Sequence, residues 1–335
     1  MEALTFYALV ASEREDHSVH CAVRQRSISD LPPGDVLVRV HYSSLNYKDA
    51  LSASGNRGVT KSYPHTPGID AAGIVVQSTD SRWQQGDEVI CTGYDLGMNT
   101  DGGFGQYIRI PGEWLVRKPS SLTLLESMQL GTAGFTAALS VLGLETNGIA
   151  PSKGPILVTG ATGGVGTITI ILLRKLGYQI VALTGKPDVD DFLLDLGVST
   201  ILPRDELLQG KARQLLPARW AGVVDTVGGD ILATAIKGTG FDGVVTSCGN
   251  AASGELALNV YPFILRGVHL LGIYSANCPR DKRLRVWNKL AAEWKPTELS
   301  RICRMIQLHD LEREIGAMLA GNSKGRCVVD LGEEP

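Results

Sequence analysis

A cluster of glycines near the middle of the chain, VTGATGGVG at 158–166, restricts the possible folds most. It follows an apolar run and precedes a stretch of helical period. In that context the spacing of Gly160, Gly163 and Gly166 reads as GxxGxxG, a variant of the dinucleotide-binding GxGxxG. Glycines there allow a tight turn and let backbone N–H groups and a helix N-terminus approach a pyrophosphate. The cluster therefore predicts a strand–turn–helix unit that binds a dinucleotide.

The same segment also fits TGxxxGxG, the pattern of short-chain dehydrogenases, through Thr159, Gly160, Gly164 and Gly166. That class of enzyme needs a tyrosine followed by a lysine four places later. None of the nine tyrosines in this chain has a lysine at that spacing, so this alternative fails.

Strands and helices alternate after the glycine cluster, with strands predicted at 178–185, 221–228 and 243–249. This alternation indicates βαβ units and a parallel sheet. The first 120 residues instead contain short β-branched runs bounded by Gly, Pro or Asp. A chain of 335 residues favours two domains. We therefore predict an α/β protein in which a β-rich domain precedes a doubly wound dinucleotide-binding domain.

The second strand of this predicted domain indicates which dinucleotide is bound. An NAD site has an acidic residue at the end of that strand, which holds the ribose 2′-hydroxyl. Here the strand ends at Thr184, Gly185 and Lys186, with no acid before Asp188. A hydroxyl, a glycine and a cation suit a 2′-phosphate better, and Arg204 can add a bidentate contact. The sequence therefore predicts NADPH.

The overall composition excludes several classes of protein. Lys and Arg number 32 against 35 Asp and Glu, for a net charge of −3, which argues against a nucleic-acid or membrane-surface partner. The six cysteines are scattered without a CxxC pair, as in proteins of a reducing compartment. No apolar run approaches the roughly 20 residues that span a bilayer. We expect a cytoplasmic protein.

The whole chain resembles the medium-chain dehydrogenase/reductase superfamily. The matching stretches are PGIDAAG (67–73), GDEV (86–89), DGGFGQY (101–107), GTAGFTA (131–137), VTGATGGVG (158–166) and DTVGG (225–229). The resemblance implies a GroES-like β domain, an inserted Rossmann domain and a C-terminal return to the first domain. We expect these segments at 1–122, 123–275 and 276–335.

Three further stretches are similar to the AcuI/YhdH type of acrylyl-CoA reductase, a group often labelled quinone oxidoreductase. They are SSLNYKDAL (43–51), ILPRDE (201–206) and YPFILRGV (261–268). The chain departs from the zinc alcohol dehydrogenases, whose catalytic zinc takes a cysteine near Asn46 and the histidine of a Gly-His-Glu triplet. Here the triplet reads Gly68-Ile69-Asp70, and isoleucine cannot ligate a metal. Of the four closely spaced cysteines of their structural zinc, only Cys91 occurs here, so we expect no zinc.

Without a Lewis acid, a conjugated alkene suits the site better than a carbonyl. Hydride adds at the β-carbon, and the enolate then needs hydrogen bonds and a proton. Tyr47 is the best candidate for either task, since the resemblance places this position beside the cofactor; it is predicted as proton donor or as cofactor contact. Asn46 is predicted to donate a hydrogen bond to the substrate oxygen.

The resemblance implies further contacts to the cofactor. They are Thr162, Gly163, Gly164, Val165, Asn250, Ile264, Ser275 and Arg326. It also implies a homodimer or another even-numbered homo-oligomer, for which the apolar run VHLLGI (268–273) offers a sheet edge.

Three functions remain open at this stage. The first is an NADPH-dependent 2-enoyl thioester reductase, with acrylyl-CoA to propanoyl-CoA as the specific case. The second is an NADPH:quinone or alkenal oxidoreductase, which uses the same hydride geometry on a small acceptor. The third is a non-catalytic NADPH-binding redox sensor.

Overall fold

A computed structural model describes residues 4–332 of the chain. The strands are β1 Thr5–Glu13, β2 Val19–Ser27, β3 Val36–Ser44, β4 Asp70–Ser78, β5 Glu88–Thr92, β6 Tyr107–Ile110, β7 Val116–Arg117, β8 Ile156–Val158, β9 Ile180–Thr184, β10 Thr200–Pro203, β11 Trp220–Asp225, β12 Thr239–Ser247, β13 His269–Gly272, β14 Cys303–Gln307 and β15 Arg326–Asp330. The α-helices are α1 Tyr47–Ala53, α2 Leu124–Thr146, α3 Gly164–Lys175, α4 Asp190–Asp195, α5 Arg204–Leu208, α6 Gly229–Lys237, α7 Tyr261–Arg266, α8 Arg280–Ala291, α9 Leu299–Ile302 and α10 Leu311–Leu319. Short 3₁₀ turns lie at Ile28–Asp30, Gly112–Trp114, Pro151–Lys153 and Leu308–Asp310.

The chain forms two compact units. The first contains the residues up to Thr132, Ala276–Ala291 and the residues from Leu299 onward, and the second contains Ala133–Ser275 and Ala292–Glu298. The domain limits predicted above differ in two places, because 123–132 belongs to the first unit and 292–298 to the second. The three-segment division itself stays a prediction.

The first unit is a β structure. Its main sheet has the order β14-β15-β3-β4-β5-β7, with β6 paired to β3, and β1 and β2 form a separate antiparallel pair. On β3, Val36, Val38 and Val40 alternate with other side chains and are at most 1% exposed, the period of a strand with one face in a core. The C-terminal β15 pairs with β3, so the end of the chain completes the N-terminal sheet.

The second unit confirms the predicted doubly wound sheet. Its six strands have the order β10-β9-β8-β11-β12-β13, and every pair is parallel. Numbered along the chain, this is the 3-2-1-4-5-6 order of dinucleotide-binding folds. Ile156, Leu157 and Val158 of the central strand β8 are all 0% exposed, because helices cover both faces of such a sheet. The strand order reverses beside β8, where the glycine cluster begins.

Helix α2 carries the boundary between the two units. The helix is broken at Gly131, which has φ 52° and ψ −155°. By length and composition α2 is the one helix of residues 4–332 that could cross a membrane, although 83% of its apolar window is buried within the protein. This corrects the expectation that no apolar run approaches that length. Burial of this kind is typical of a core helix.

Candidate functional site

The glycine loop joins β8 to α3 in the second unit. Gly160 has a φ of 58°, a left-handed conformation that favours glycine, and an added Cβ would collide with Oγ1 of Thr226. A Cβ on Gly166 would collide with the carbonyl oxygen of Gly160. The first N–H groups of α3 have no acceptor within the helix. The predicted residues from Thr162 to Val165 lie in this loop and at the start of α3, and the arrangement fits a pyrophosphate.

The predicted 2′-phosphate group comes together at the ends of two neighbouring strands. Thr184 ends β9, and Pro203 at the end of β10 lies opposite it in the parallel register. Arg204 therefore follows beside Gly185, and an added Cβ on Gly185 would lie 2.8 Å from Cζ of the Arg204 guanidinium. The backbone N–H of Lys186 donates to Oγ1 of Thr184 at 3.1 Å. The structure thus brings the hydroxyl of Thr184 and the guanidinium of Arg204 close to Gly185, which has no side chain.

The other predicted cofactor contacts of this unit lie after the last strands of the sheet. Asn250 is exposed in the loop after β12, and its Cα would lie 3.3 Å from a Cβ added to Gly228. Ile264 is 68% exposed on α7, and Ser275 is half-buried just after β13. Their contact with a cofactor stays a prediction.

In the first unit, polar side chains that are buried, or half-buried in the case of Thr132, form one hydrogen-bonded group around Asp70, here called the Asp70 cluster. Its members are Ser44, Asn46, Asp49, Asp70, Thr132 and Arg326. The carboxylate of Asp70 is 0% exposed and accepts from Oγ of Ser44 at 2.7 Å, from Nδ2 of Asn46 at 2.8 Å, and from both the backbone N–H and the hydroxyl of Thr132 at 2.9 and 2.6 Å. A buried charge needs this many donors to remain in the interior.

Asn46 and Asp49 of the cluster fix the start of α1. The carboxylate of Asp49 accepts the backbone N–H of Asn46 at 2.7 Å and that of Ile69 at 2.8 Å. Burial, and next the negative charge of Asp70, raise the pKa of the Asp49 carboxyl to about 7. The side chain of Asp49 therefore ties α1 to the strand that begins at Asp70.

Asn46 is engaged within the cluster rather than directed at a ligand. Its amide Nδ2 donates to Asp70 at 2.8 Å and to the carbonyl oxygen of Ser44 at 3.1 Å, and its Oδ1 accepts from Arg326 at 3.2 Å. Both N–H groups are thus used, and none remains for a substrate oxygen. The predicted substrate-donor role requires this network to open, and in this structure Asn46 positions its neighbours.

The structure places Arg326, a predicted cofactor contact, inside the Asp70 cluster. Its side chain is 2% exposed, and its Nη2 lies 3.9 Å from Oδ2 of Asp70. The guanidinium donates to Oγ of Ser44 at 2.7 Å and to the carbonyl oxygens of Leu45 and Gln129 at 3.2 Å each. With its donors used in this way, Arg326 neutralises the buried carboxylate of Asp70, and its contact with a cofactor stays a prediction.

Tyr47 is the first residue of α1 and is 45% exposed. It directly follows Asn46, so the Asp70 cluster holds the backbone from which the phenol projects. An exposed phenol on a firmly held backbone can present its O–H to a bound molecule. The role of Tyr47 as proton donor or cofactor contact stays a prediction.

Sequence reasoning missed Asp70, Ser44 and Thr132 as members of a functional cluster. The one available signal was the triplet Gly68-Ile69-Asp70, in which isoleucine replaces a metal-ligating histidine and the next position remains acidic. Among residues 4–332, no group of three or more His, Cys, Asp or Glu side chains could hold a metal ion.

Comparison with known proteins agrees with both units. Residues 32–120 match the alcohol dehydrogenase GroES-like domain, and residues 164–292 match the zinc-binding dehydrogenase domain. The quinone oxidoreductase-like YhfP of Bacillus subtilis is 45% identical over 97% of this chain and 99% of its own. Acrylyl-CoA reductase AcuI of Ruegeria pomeroyi is 42% identical over 97% of this chain and 99% of its own.

Solved structures extend the likeness to three dimensions. The YhdH oxidoreductase of Salmonella enterica, in complex with NADP, superposes with a TM-score of 0.94 at 39% identity, over 98% of this chain and 99% of that one. The structure of YhfP, with NAD bound, gives a TM-score of 0.95 at 44% identity, over 98% of this chain and 100% of that one. The chain therefore belongs to the medium-chain dehydrogenase/reductase superfamily, within the group of AcuI, YhdH and YhfP.

Proposed function

We propose that the chain is an NADPH-dependent reductase of 2-enoyl thioesters that converts acrylyl-CoA to propanoyl-CoA. The observation that supports NADPH as the cofactor is the position of the Arg204 guanidinium beside Gly185, just after the end of β9. The substrate class is supported by the identity of 42% to AcuI, which is named an acrylyl-CoA reductase. The small-molecule substrate fits the near-neutral charge balance of the chain.

The choice of NADPH over NADH depends on the end of β9, since relatives are bound to either cofactor. An acidic side chain there would accept from the ribose 2′-hydroxyl and repel a 2′-phosphate. This chain instead has Thr184, Gly185 and Lys186, with Arg204 beside them. Two cationic side chains and a hydroxyl stabilise a phosphate through charge-assisted hydrogen bonds.

The reaction adds a hydride and a proton across the conjugated double bond. When NADPH is bound, its nicotinamide supplies the hydride to the β-carbon. The side chain of Tyr47 then hydrogen-bonds the enolate oxygen or delivers the proton to the α-carbon. The Asp70 cluster holds the first turn of α1, and so fixes the direction in which Tyr47 projects. Asp49 and Arg326 thus act through Tyr47 as positioning residues.

A quinone or alkenal acceptor is the second candidate. The observation that favours it is the identity of 45% to YhfP, a quinone oxidoreductase-like protein. The same hydride donor and phenol would serve a quinone, whose oxygen takes the negative charge.

A homodimer through β13 also belongs to the proposal. This strand is the edge of the parallel sheet in the second unit, and Leu270 on it is 37% exposed. Nearby in sequence, Ile264 and Leu265 of α7 are 68% and 56% exposed. An apolar edge of this kind pairs readily with a second copy. The cytoplasm stays the predicted compartment.

The substrate proposal is tested by NADPH oxidation with acrylyl-CoA and with a small quinone at equal concentrations. We expect kcat/KM to favour acrylyl-CoA by about a hundredfold, which corresponds to roughly 2.7 kcal/mol. A comparable or higher value for the quinone would assign the second function. Tight NADPH binding without turnover of either acceptor would indicate the redox sensor.

A further inference from the structure

The carboxylate of Asp225, at the end of β11, is a buried charge that the reaction described above does not use. Asp225 is 0% exposed and lies on the strand next to β8, beyond which the glycine loop begins. Burial raises the pKa of its carboxyl, and the hydrogen bond from Thr159 acts in the opposite direction. A buried carboxylate is costly unless its hydrogen bonds are made, so the partners of Asp225 indicate what it does.

The first partner is the start of the glycine loop. The hydroxyl of Thr159, 0% exposed, donates to Oδ1 of Asp225 at 2.7 Å. The same hydroxyl accepts the backbone N–H of Thr226 at 3.0 Å, and the hydroxyl of Thr226 donates to the carbonyl oxygen of Thr159 at 3.1 Å. Thr159 immediately precedes Gly160, whose left-handed backbone packs against Thr226. These bonds hold the entry of the glycine loop against the loop after β11.

The second partner is the loop that leads to α6. The backbone N–H of Gly228 donates to Oδ2 of Asp225 at 3.0 Å. Gly228 in turn forms a parallel bridge with Ser253, and Val227 accepts the backbone N–H of Ala252 at 2.9 Å. The segment 248–253, which contains the predicted cofactor contact Asn250, is therefore tied to the same carboxylate through one intermediate residue.

We propose that Asp225, through Thr159 and Gly228, is the positioning residue of the cofactor site, holding the glycine loop and the loop after β12 in the arrangement that receives a dinucleotide pyrophosphate. The inference rests on the proposed NADPH dependence. The Thr159 hydroxyl and the Gly228 N–H donate to different oxygens of Asp225, so both terminal atoms of this side chain must be hydrogen-bond acceptors. An amide at this position would place an N–H₂ group against one of these donors and leave it unpaired.

Asp225 and the residues at the end of β9 would act on different parts of NADPH, the pyrophosphate and the 2′-phosphate. The 2′-phosphate is expected at Thr184, Lys186 and Arg204, at the ends of β9 and β10, and β8 separates these two strands from β11 in the sheet order. Adenosine 2′-monophosphate carries that phosphate without the pyrophosphate and the nicotinamide. Loss of the Asp225 bonds should therefore weaken NADPH and leave this fragment unaffected, whereas a general loss of structure should weaken both.

The test uses the full chain with Thr159→Val, which removes the hydroxyl at nearly constant volume. Thr246→Val is the matched control, because Thr246 is also 0% exposed in the same sheet and its hydroxyl donates to a backbone oxygen, that of Val223, at 3.2 Å. Thr159→Ser keeps the hydroxyl and serves as the rescue variant. For each protein the Kd of NADPH and that of adenosine 2′-monophosphate are measured, together with the melting temperature of the free protein.

We expect Thr159→Val to raise the Kd of NADPH by about tenfold or more, which corresponds to about 1.4 kcal/mol. Its Kd for the fragment should stay within about twofold of wild type, and Thr246→Val and Thr159→Ser should bind NADPH as wild type does. An unchanged Kd for NADPH, or an equal loss for both ligands, would overturn the positioning role alone. A wild-type protein that does not bind NADPH would overturn the proposed function and this inference with it.

Discussion

The break in α2 allows a quantitative test of the Asp70 cluster. Gly131 has φ 52° and ψ −155°, and an added Cβ would lie 2.5 Å from Oδ2 of Asp70, 2.5 Å from Oγ of Ser44 and 2.7 Å from Nη2 of Arg326. Gly131→Ala therefore introduces backbone strain and displaces a buried charged group. The strain costs roughly 1–3 kcal/mol, and a disrupted hydrogen bond to a charged group costs roughly 1.5–3 kcal/mol.

Gly86→Ala separates these two contributions. Gly86 belongs to the same unit and has a φ of 92°, but an added Cβ would have nothing within 4 Å. This control also places an alanine at a positive φ, and it lacks the collision. We therefore expect Gly131→Ala to lower the free energy of unfolding by about 1.5–3 kcal/mol more than Gly86→Ala does.

The measurement is urea denaturation of both variants and wild type, followed by circular dichroism and by tryptophan fluorescence. Because the chain has two compact units, the comparison is made on the transition that both variants shift. If Gly131→Ala is no more destabilising than Gly86→Ala, the Asp70 cluster accommodates the added methyl group without a loss of unfolding free energy. In that case its hydrogen bonds do not hold α1 in place, and the positioning roles of Asp49 and Arg326 would be refuted.

Three further outcomes follow from individual side chains. Burial lowers the pKa of His65 below the ordinary 6.5, although a backbone hydrogen bond at Gly97 and the charge of Asp101 act in the opposite direction. The neutral form of His65 therefore contributes stability above pH 6.5 that is lost as the pH falls. Relative to His65→Phe, wild type should lose up to about 1.4 kcal/mol per pH unit below that value, measured by urea denaturation across pH. Tyr47→Phe should lower kcat by about a hundredfold or more at an unchanged Kd for NADPH, measured by steady-state kinetics and titration, whereas Tyr42→Phe on β3 should change neither. Arg204→Ala should raise the Kd of NADPH by about tenfold or more in fluorescence titrations and leave the Kd of NADH unchanged. Arg213→Ala, which removes another exposed cation of the same unit, should alter neither Kd.

Features encoded within a short stretch could be predicted from the sequence. The glycine loop, the helix after it and the strand that ends at Thr184 each depend on neighbours within about one turn or one strand. The register of β9 and β10 then places Arg204 beside Gly185 without further information. The strand Cys303–Gln307 was not predicted, since its pattern has no clear alternation and it forms only by parallel pairing with β15.

The Asp70 cluster could not be predicted, because its contacts join residues far apart in the chain. Arg326 and Asn46 are separated by 280 positions, and Thr132 and Asp70 by 62. In the sequence, Arg326 is one cation at the start of a strand, and its burial follows only when β15 pairs with β3 beside Ser44. The same strand pairing that completes the sheet directs the guanidinium of Arg326 to Asp70.

The cluster explains how an acid, Asp70, can be buried directly after Ile69. A carboxylate in this interior needs a compensating cation and a full set of donors. Here the guanidinium of Arg326 is the cation, and Ser44, Asn46 and Thr132 are the donors. The position of Asn46 is then set by electrostatics inside the first unit, and the side chain of Tyr47, one residue later, projects from a backbone that the buried charges hold in place.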